Sequence, residues 1–207
     1  MLVFSAQKLA FIAVPKTGTT ALEMALRPYA DIIFTKNRKH MPAHRFHNRV
    51  APFLEEAFGV RLERMAVLRD PEEQIRSWYR YRTAALQRGS AKSTRAVSFD
   101  QFVRDVISED PPPYAGIGSQ WNMVTGKSAV LVHHLFAYET QDVMHGFIEE
   151  RFGEAIDIKR KNVSPRVDAP LDDATREALR EARPQEFALY DRLRASGGHL
   201  ISQIAPT

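Results

Sequence analysis

The chain has 207 residues and a formal net charge of +4, from 29 Lys and Arg against 25 Asp and Glu. Its 44% hydrophobic and 26% charged content is that of a globular protein, and its length suits a single domain spanning 1–207. It has no cysteine, which excludes disulfides, thiolate zinc sites and cysteine nucleophiles, and its modest positive excess suits an anionic ligand but is too small to indicate nucleic acid.

Leu2–Val14 reads as an edge piece followed by the first core strand. Gln7 and Lys8 interrupt it, so it reads as a strand and not as a signal peptide. Its end runs into FIAVPKTGTT, Phe11–Thr20, and then into a helix-prone segment from Thr19 to Leu26. That is a strand, a tight loop and a helix start. Such a loop aims backbone N–H groups at the positive end of a helix dipole, where a phosphate can sit. Lys16 adds a charge on the same side. The loop departs from the GxxxxGK[ST] pattern of nucleoside triphosphatases, because the lysine precedes a single glycine.

Asp31–Thr35 reads as a short strand, and Asn37–Asn48 as a polar stretch holding His40, His44 and His47. Val50–Phe58 fits a helix ending at Gly59. Arg64–Leu68 is a buried-type strand closed by Arg69-Asp70-Pro71, and Glu72–Leu86 is helical and rich in Trp, Tyr and Arg. Gln87–Ala96 reads as a mobile basic loop, Phe99–Ile107 as an amphipathic helix and Asp110–Tyr114 as a sharp break. Ala129–Phe136 reads as a strand, Thr140–Phe152 as a helix stopped by Gly153, and Asp172–Arg192 as a closing helix interrupted at Pro184. Alternating strands and helices predict an α/β fold: a central parallel sheet flanked by helices. No stretch reaches the roughly 18 apolar residues of a membrane helix. No membrane span is therefore expected, and a cytoplasmic location is.

Ligands of open α/β sheets bind beyond the carboxyl ends of the strands. Near the predicted strand ends stand the PKTGTT loop, the Leu68-Arg69-Asp70-Pro71 turn, the helix carrying Ser77, and Lys159-Arg160-Lys161-Asn162-Val163-Ser164. A lysine, two threonines, an arginine and a serine there would receive a ligand with separated phosphates. Arg69 offers a planar fork for one of them. Ser77 lies eight residues on, and reaches the same group only if its helix folds back beside the strand end.

VPKTGTTAL closely resembles the 5′-phosphosulfate loop of sulfotransferases that use 3′-phosphoadenylyl sulfate. Arg69 and Ser77 in LRDPEEQIRSWYRYR match the 3′-phosphate motif of that family, an arginine at a strand end with a serine eight residues later. His40 in NRKHM stands where the carbohydrate-acting branch carries its base, and KRKNVS resembles a basic Asn-x-Ser segment near the family's C-terminus. The resemblance implies a P-loop nucleotide-hydrolase-like architecture. It also implies sulfuryl transfer from the nucleotide to an acceptor hydroxyl on a glycan or glycolipid. Lys16 and His40 would be catalytic. Lys16, Thr17, Gly18, Thr19, Thr20, Arg69 and Ser77 would bind the nucleotide. No metal is expected, because the lysine and the helix dipole would neutralise the leaving group.

His44 and His47 compete with His40 for the role of base, and Glu55 and Glu139 are the carboxylate alternatives. The three histidines have no carboxylate among them at metal-ligand spacing. Trp78, Tyr79 and Tyr81 read as helix packing, with one of them free to face the acceptor. Glu139 reads as a structural carboxylate, and the Asn162–Ser164 sequon as a chance match. Two other readings fit parts of the pattern: a P-loop kinase or hydrolase, which should carry a lysine after a second glycine and a magnesium-binding Asp, and a non-catalytic nucleotide- or glycan-binding module.

Overall fold

The structure is a computed structural model that describes residues 1–84, 88–127, 129–158 and 167–204. The first strand pair is a hairpin, β1 (Leu2–Phe4) and β2 (Leu9–Ile12), followed by α1 (Thr19–Leu26) and the short β3 (Ile32–Ile33). A helical turn α2 (Ala43–Arg45) runs through a π-helical turn, Phe46–Val50, into α3 (Ala51–Phe58). Then come β4 (Glu63–Leu68), α4 (Pro71–Thr83), α5 (Phe99–Val106) and α6 (Gln120–Val124). The small hairpin β5 (Thr125–Gly126) and β6 (Ala129–Val130) leads to β7 (His134–Ala137). The chain continues through α7 (Gln141–Phe152), α8 (Asp173–Ala182), α9 (Pro184–Ala195) and β8 (His199–Ile201).

The main sheet has the order β3-β1-β2-β4-β7-β8. Its centre is parallel: β2 pairs with β4, and β4 with β7. The expectation of a parallel sheet needs correction at both edges, because β1 and β3 on one side and β8 on the other run antiparallel. A tight turn after β1 can only return antiparallel, whereas the parallel strands are joined through helical crossovers.

The central strands are buried on both faces. Leu9, Phe11, Met65, Val67 and Phe136 point to one side, where α1 and α7 supply Leu22, Leu26, Met144 and Ile148. Ala10, Ile12, Ala66, Leu68 and Leu135 point to the other, against Phe46, Leu54, Val124, Leu189 and Leu193. Near-continuous apolar runs such as LAFI and RMAVL follow from this two-sided burial. A third core joins α4, α5, α8 and α9 through Ile75, Tyr79, Phe99, Phe102, Leu179 and Phe187.

Most predicted helices stand with their ends moved by a residue or two. Asp70 caps α4 by accepting from the Glu73 amide (3.0 Å), with Pro71 in the first turn; both are sequence signals for a helix start. The predicted strand 129–136 splits, its first part pairing in the small hairpin and its second in the main sheet. Much of the polar stretch Asn37–Asn48 is helical. Within 88–96 the chain forms turns. Residues 85–87 and the KRKNVS segment, including the Asn162–Ser164 sequon, lie outside the described residues. Among the described residues no helix is long and apolar enough to cross a membrane.

A histidine cluster closes the amino end of the parallel strands. His133 Nδ1 accepts from the Arg64 amide (3.0 Å), and the Arg64 guanidinium donates to His47 Nδ1 (2.7 Å). His134 lies 3.3 Å from Glu63 and 3.1 Å from His199, whose ring stacks on Phe136. Burial, with Arg64 beside it, pushes the His133 pKa down to about 4, and burial also lowers His47, His134 and His199. Protonating His133 breaks its bond from Arg64. The unfolded chain takes up these protons near pH 6.5, before the folded chain does, so stability is complete above that pH and is lost as pH falls toward 4. A difference of this size at one histidine is worth about 3 kcal/mol. Thermal melts between pH 7.5 and 4.5 should show Tm dropping by about 5–10 °C. His133→Asn, which keeps an acceptor but does not titrate, should flatten that drop. A Tm independent of pH over this range would show that the cluster does not titrate on unfolding.

Candidate active site

β2 and β4 are parallel neighbours, so the segments leaving their carboxyl ends emerge side by side. From β2 leaves the loop Val14–Gly18; from β4 leaves the turn Arg69–Asp70. The loop is held from inside. Buried Thr17 donates its hydroxyl to the Val14 carbonyl (2.9 Å), and the Gln74 amide on α4 donates to the Pro15 carbonyl (3.2 Å). Lys16 has φ of 68° and Gly18 of 76°. A left-handed backbone is unrestricted for glycine but costs a lysine about 1–2 kcal/mol. Gly18 is required twice over, since a Cβ there would lie 3.0 Å from the Tyr138 ring.

Gly18 is the N-cap of α1, and no side chain among the described residues caps it. The first-turn amides of Thr19 and Thr20 therefore find no acceptor among the described residues, and no acidic side chain sits in that turn. Thr19 is buried and Thr20 half-buried. An uncapped helix start with its dipole unopposed is an anion site in waiting.

The Lys16 ammonium is folded onto α4, 3.3 Å from the Tyr81 ring centre and 4.8 Å from that of Trp78. Burial, with the charge of Arg82 nearby, pushes its pKa down to about 7. Gln74, Ser77, Trp78 and Tyr81 share one helical face by their spacing, and Gln74, Trp78 and Tyr81 all touch the loop. The helix thus folds back beside the strand end, as the Ser77 expectation required. The Ser77 hydroxyl has no partner among the described residues. Tyr79 points the other way, into the core with Phe99 and Phe102.

Arg69 is fixed at its backbone by Gln120, which accepts from its amide and donates to its carbonyl, both at 2.9 Å. Its guanidinium lies 4.7 Å from the Tyr138 ring centre and 3.4 Å from the Glu73 carboxylate. Among the described residues its buried Nε has no partner, nor do the buried Trp78 Nε1 and Gln74 Oε1. Buried orphaned polar atoms are costly in a finished core, and three of them ring this loop. Tyr138 links the parts: one edge bounds Gly18 and its face carries Arg69.

His40 stands at the same end of the sheet. Its Nδ1 is 2.6 Å from the Ala13 carbonyl, just before the loop. A carbonyl only accepts, so Nδ1 carries the proton and Nε2 holds the free lone pair of the neutral ring. Although the side chain is exposed at one side, desolvation of the ring where it meets Ala13, with the charge of Lys39, holds the His40 pKa below its usual 6.5, against the Ala13 bond. Lys39 is tied to Glu23 on α1 (2.5 Å), which anchors the segment to the helix that begins at the loop.

The other candidate bases are placed elsewhere. His44 is exposed and packs on Gly126, and His47 belongs to the Arg64 cluster. Glu139 accepts from the Asp70 amide (3.2 Å) and from the Tyr190 hydroxyl, and Glu55 pairs with Arg61. Sequence reasoning missed Tyr138, Gln120 and Gln74. Each acts through a contact distant in sequence, and none lies in a pattern that spacing reveals. No protein-family model, curated protein or solved structure matches this chain.

Proposed function

We propose that this chain is a sulfotransferase of P-loop architecture, moving the sulfuryl group of 3′-phosphoadenylyl sulfate to an acceptor hydroxyl on a glycan or glycolipid. The observation that carries the reading is the convergence of three segments. The uncapped PKTGTT loop, the Arg69 turn and the Ser77 face of α4 meet at the carboxyl ends of two adjacent parallel strands.

In this reading the amides of Thr17–Thr20 hold the 5′-phosphate, and Arg69 with Ser77 holds the 3′-phosphate. Nε2 of His40 takes the acceptor proton as the acceptor oxygen bonds to sulfur. The bond from sulfur to the bridging oxygen breaks in line, and that oxygen leaves with its electron pair on adenosine 3′,5′-bisphosphate. Lys16 leaves its aromatic rest position to meet the charge growing on that oxygen.

Calorimetry with adenosine 3′,5′-bisphosphate, AMP and magnesium-ATP tests the donor. The bisphosphate should bind well and AMP poorly. A charge-assisted bond to phosphate is worth about 1.5–3 kcal/mol, so Arg69→Ala should weaken bisphosphate binding by about tenfold to a hundredfold. Equal affinity for the bisphosphate and AMP would sink the assignment, and preference for magnesium-ATP would indicate a kinase or hydrolase instead.

A further inference from the structure

Between Asp31 and Glu55 the sequence holds five Lys and Arg residues and no carboxylate. Lys39 is paired with Glu23, but no carboxylate among the described residues pairs with Arg38, Arg45 or Arg49. The fold gathers these three arginines around one open basin, together with His44, Asn48 and Met41. Arg38 and Met41, on its wall, flank His40 in the chain. Beyond the basin, Phe53 and Phe58 on α3 are 58% and 65% exposed and pack edge to face on each other.

Three guanidinium groups with no carboxylate partner among the described residues line one open concavity and give it a positive potential that an anionic occupant meets. Guanidinium forks match carboxylate and sulfate groups in a bidentate way, better than ammonium groups do. The Asn48 amide can both donate and accept, which suits sugar hydroxyls. The concave shape and the arginine-over-lysine content favour a discrete polyanionic ligand over a flat lipid surface, which a spread of lysines would serve as well.

We infer that the basin formed by Arg38, Arg45, Arg49 and Asn48 is the acceptor site, and that the acceptor is an anionic saccharide bearing uronate or sulfate groups. This rests on the sulfuryl-transfer reading: the acceptor enters from the basin side and presents a hydroxyl to His40.

Direct binding separates this inference from that reading. The full chain is titrated with a heparin-derived hexasaccharide, with neutral maltohexaose and with phosphatidylcholine vesicles doped with phosphatidylserine. Adenosine 3′,5′-bisphosphate is titrated into the same samples. The hexasaccharide should bind and maltohexaose should not. Arg45 and Arg49 are exposed, so the double variant Arg45→Gln/Arg49→Gln should fold and should lose at least about tenfold in hexasaccharide affinity. Bisphosphate binding should be unchanged in that variant. Arg192→Gln/Arg194→Gln, which removes the same charge from exposed positions on α9, should stay within about twofold, because screened charges at a distance contribute little.

Equal loss in the two double variants would show that only net charge matters, and would overturn the basin. So would equal affinity for maltohexaose, or vesicle binding that depends on the basin arginines while hexasaccharide binding does not. Bisphosphate binding that fails while the basin result holds would remove the sulfuryl-transfer reading and leave an anionic-saccharide site standing.

Discussion

Lys16→Ala should lower kcat by about 10²–10³-fold, the cost of losing one electrostatic stabiliser placed where charge develops. Binding of the bisphosphate product should weaken much less. The variant should fold, because the loop is held by Thr17 and by Gln74 on the Pro15 carbonyl, while the Lys16 side chain makes only ring contacts among the described residues. The pH profile carries more information than the rate alone. In the proposed transfer the protonated lysine is the active form, and the free protein holds its pKa at about 7. Since kcat/KM reports the free enzyme, it should fall as pH rises through about 7. Lys16→Arg cannot deprotonate in this range, so whatever its rate, that alkaline decline should vanish. A Lys16→Ala enzyme within about threefold of wild type would show that the lysine serves only the loop, since transition-state contacts are worth far more.

His40→Ala should lose about 10²–10⁴ in rate while still binding the bisphosphate, as expected for removal of a general base. In the proposed transfer the neutral ring of His40 is the active form. Its pKa lies below 6.5, so the acid limb of kcat/KM should rise through a value under 6.5. With the Lys16 decline above it, the profile should be a narrow bell. His44→Ala and His47→Ala should lower kcat far less than His40→Ala: His44 lines the basin, so its loss should show in the KM for the acceptor, and His47 is bound to Arg64 at the opposite end of the strands. Pre-steady-state rates of the three variants with a screened acceptor decide the matter. If His47→Ala, or His44→Ala at saturating acceptor, is the change that damages kcat, the base is misassigned. If none of the three matters, a carboxylate must be the base, although Glu139 and Glu55 would first have to leave the partners they hold here.

Much of the site could be read from local pattern. Strand, proline, glycine and helix start follow one another within Leu9–Leu26, and each step is a near-neighbour effect of backbone freedom and burial. The same holds for Asp70 and Pro71 opening α4, and for Gly59 and Gly153 ending helices with φ of 65° and 74°. The parallel centre of the sheet was legible because its strands are apolar on both faces. The antiparallel edges were not: Asp31–Thr35 read as a short strand, but two paired residues do not set a direction, and β8, three residues long, carries too little periodicity to register.

Chain order alone therefore determined the α/β class, the loop, the Arg69 turn and the helix that carries Ser77. Only the tertiary structure decided how these segments meet. That Lys16 rests on Tyr81, that Gln120 clasps the Arg69 backbone, that Tyr138 stands between Gly18 and Arg69, and that His40 turns Nδ1 toward Ala13 all depend on residues far apart in sequence. Such contacts are set by sheet order and by which helix face packs inward, and neither is encoded in the spacing of any single segment.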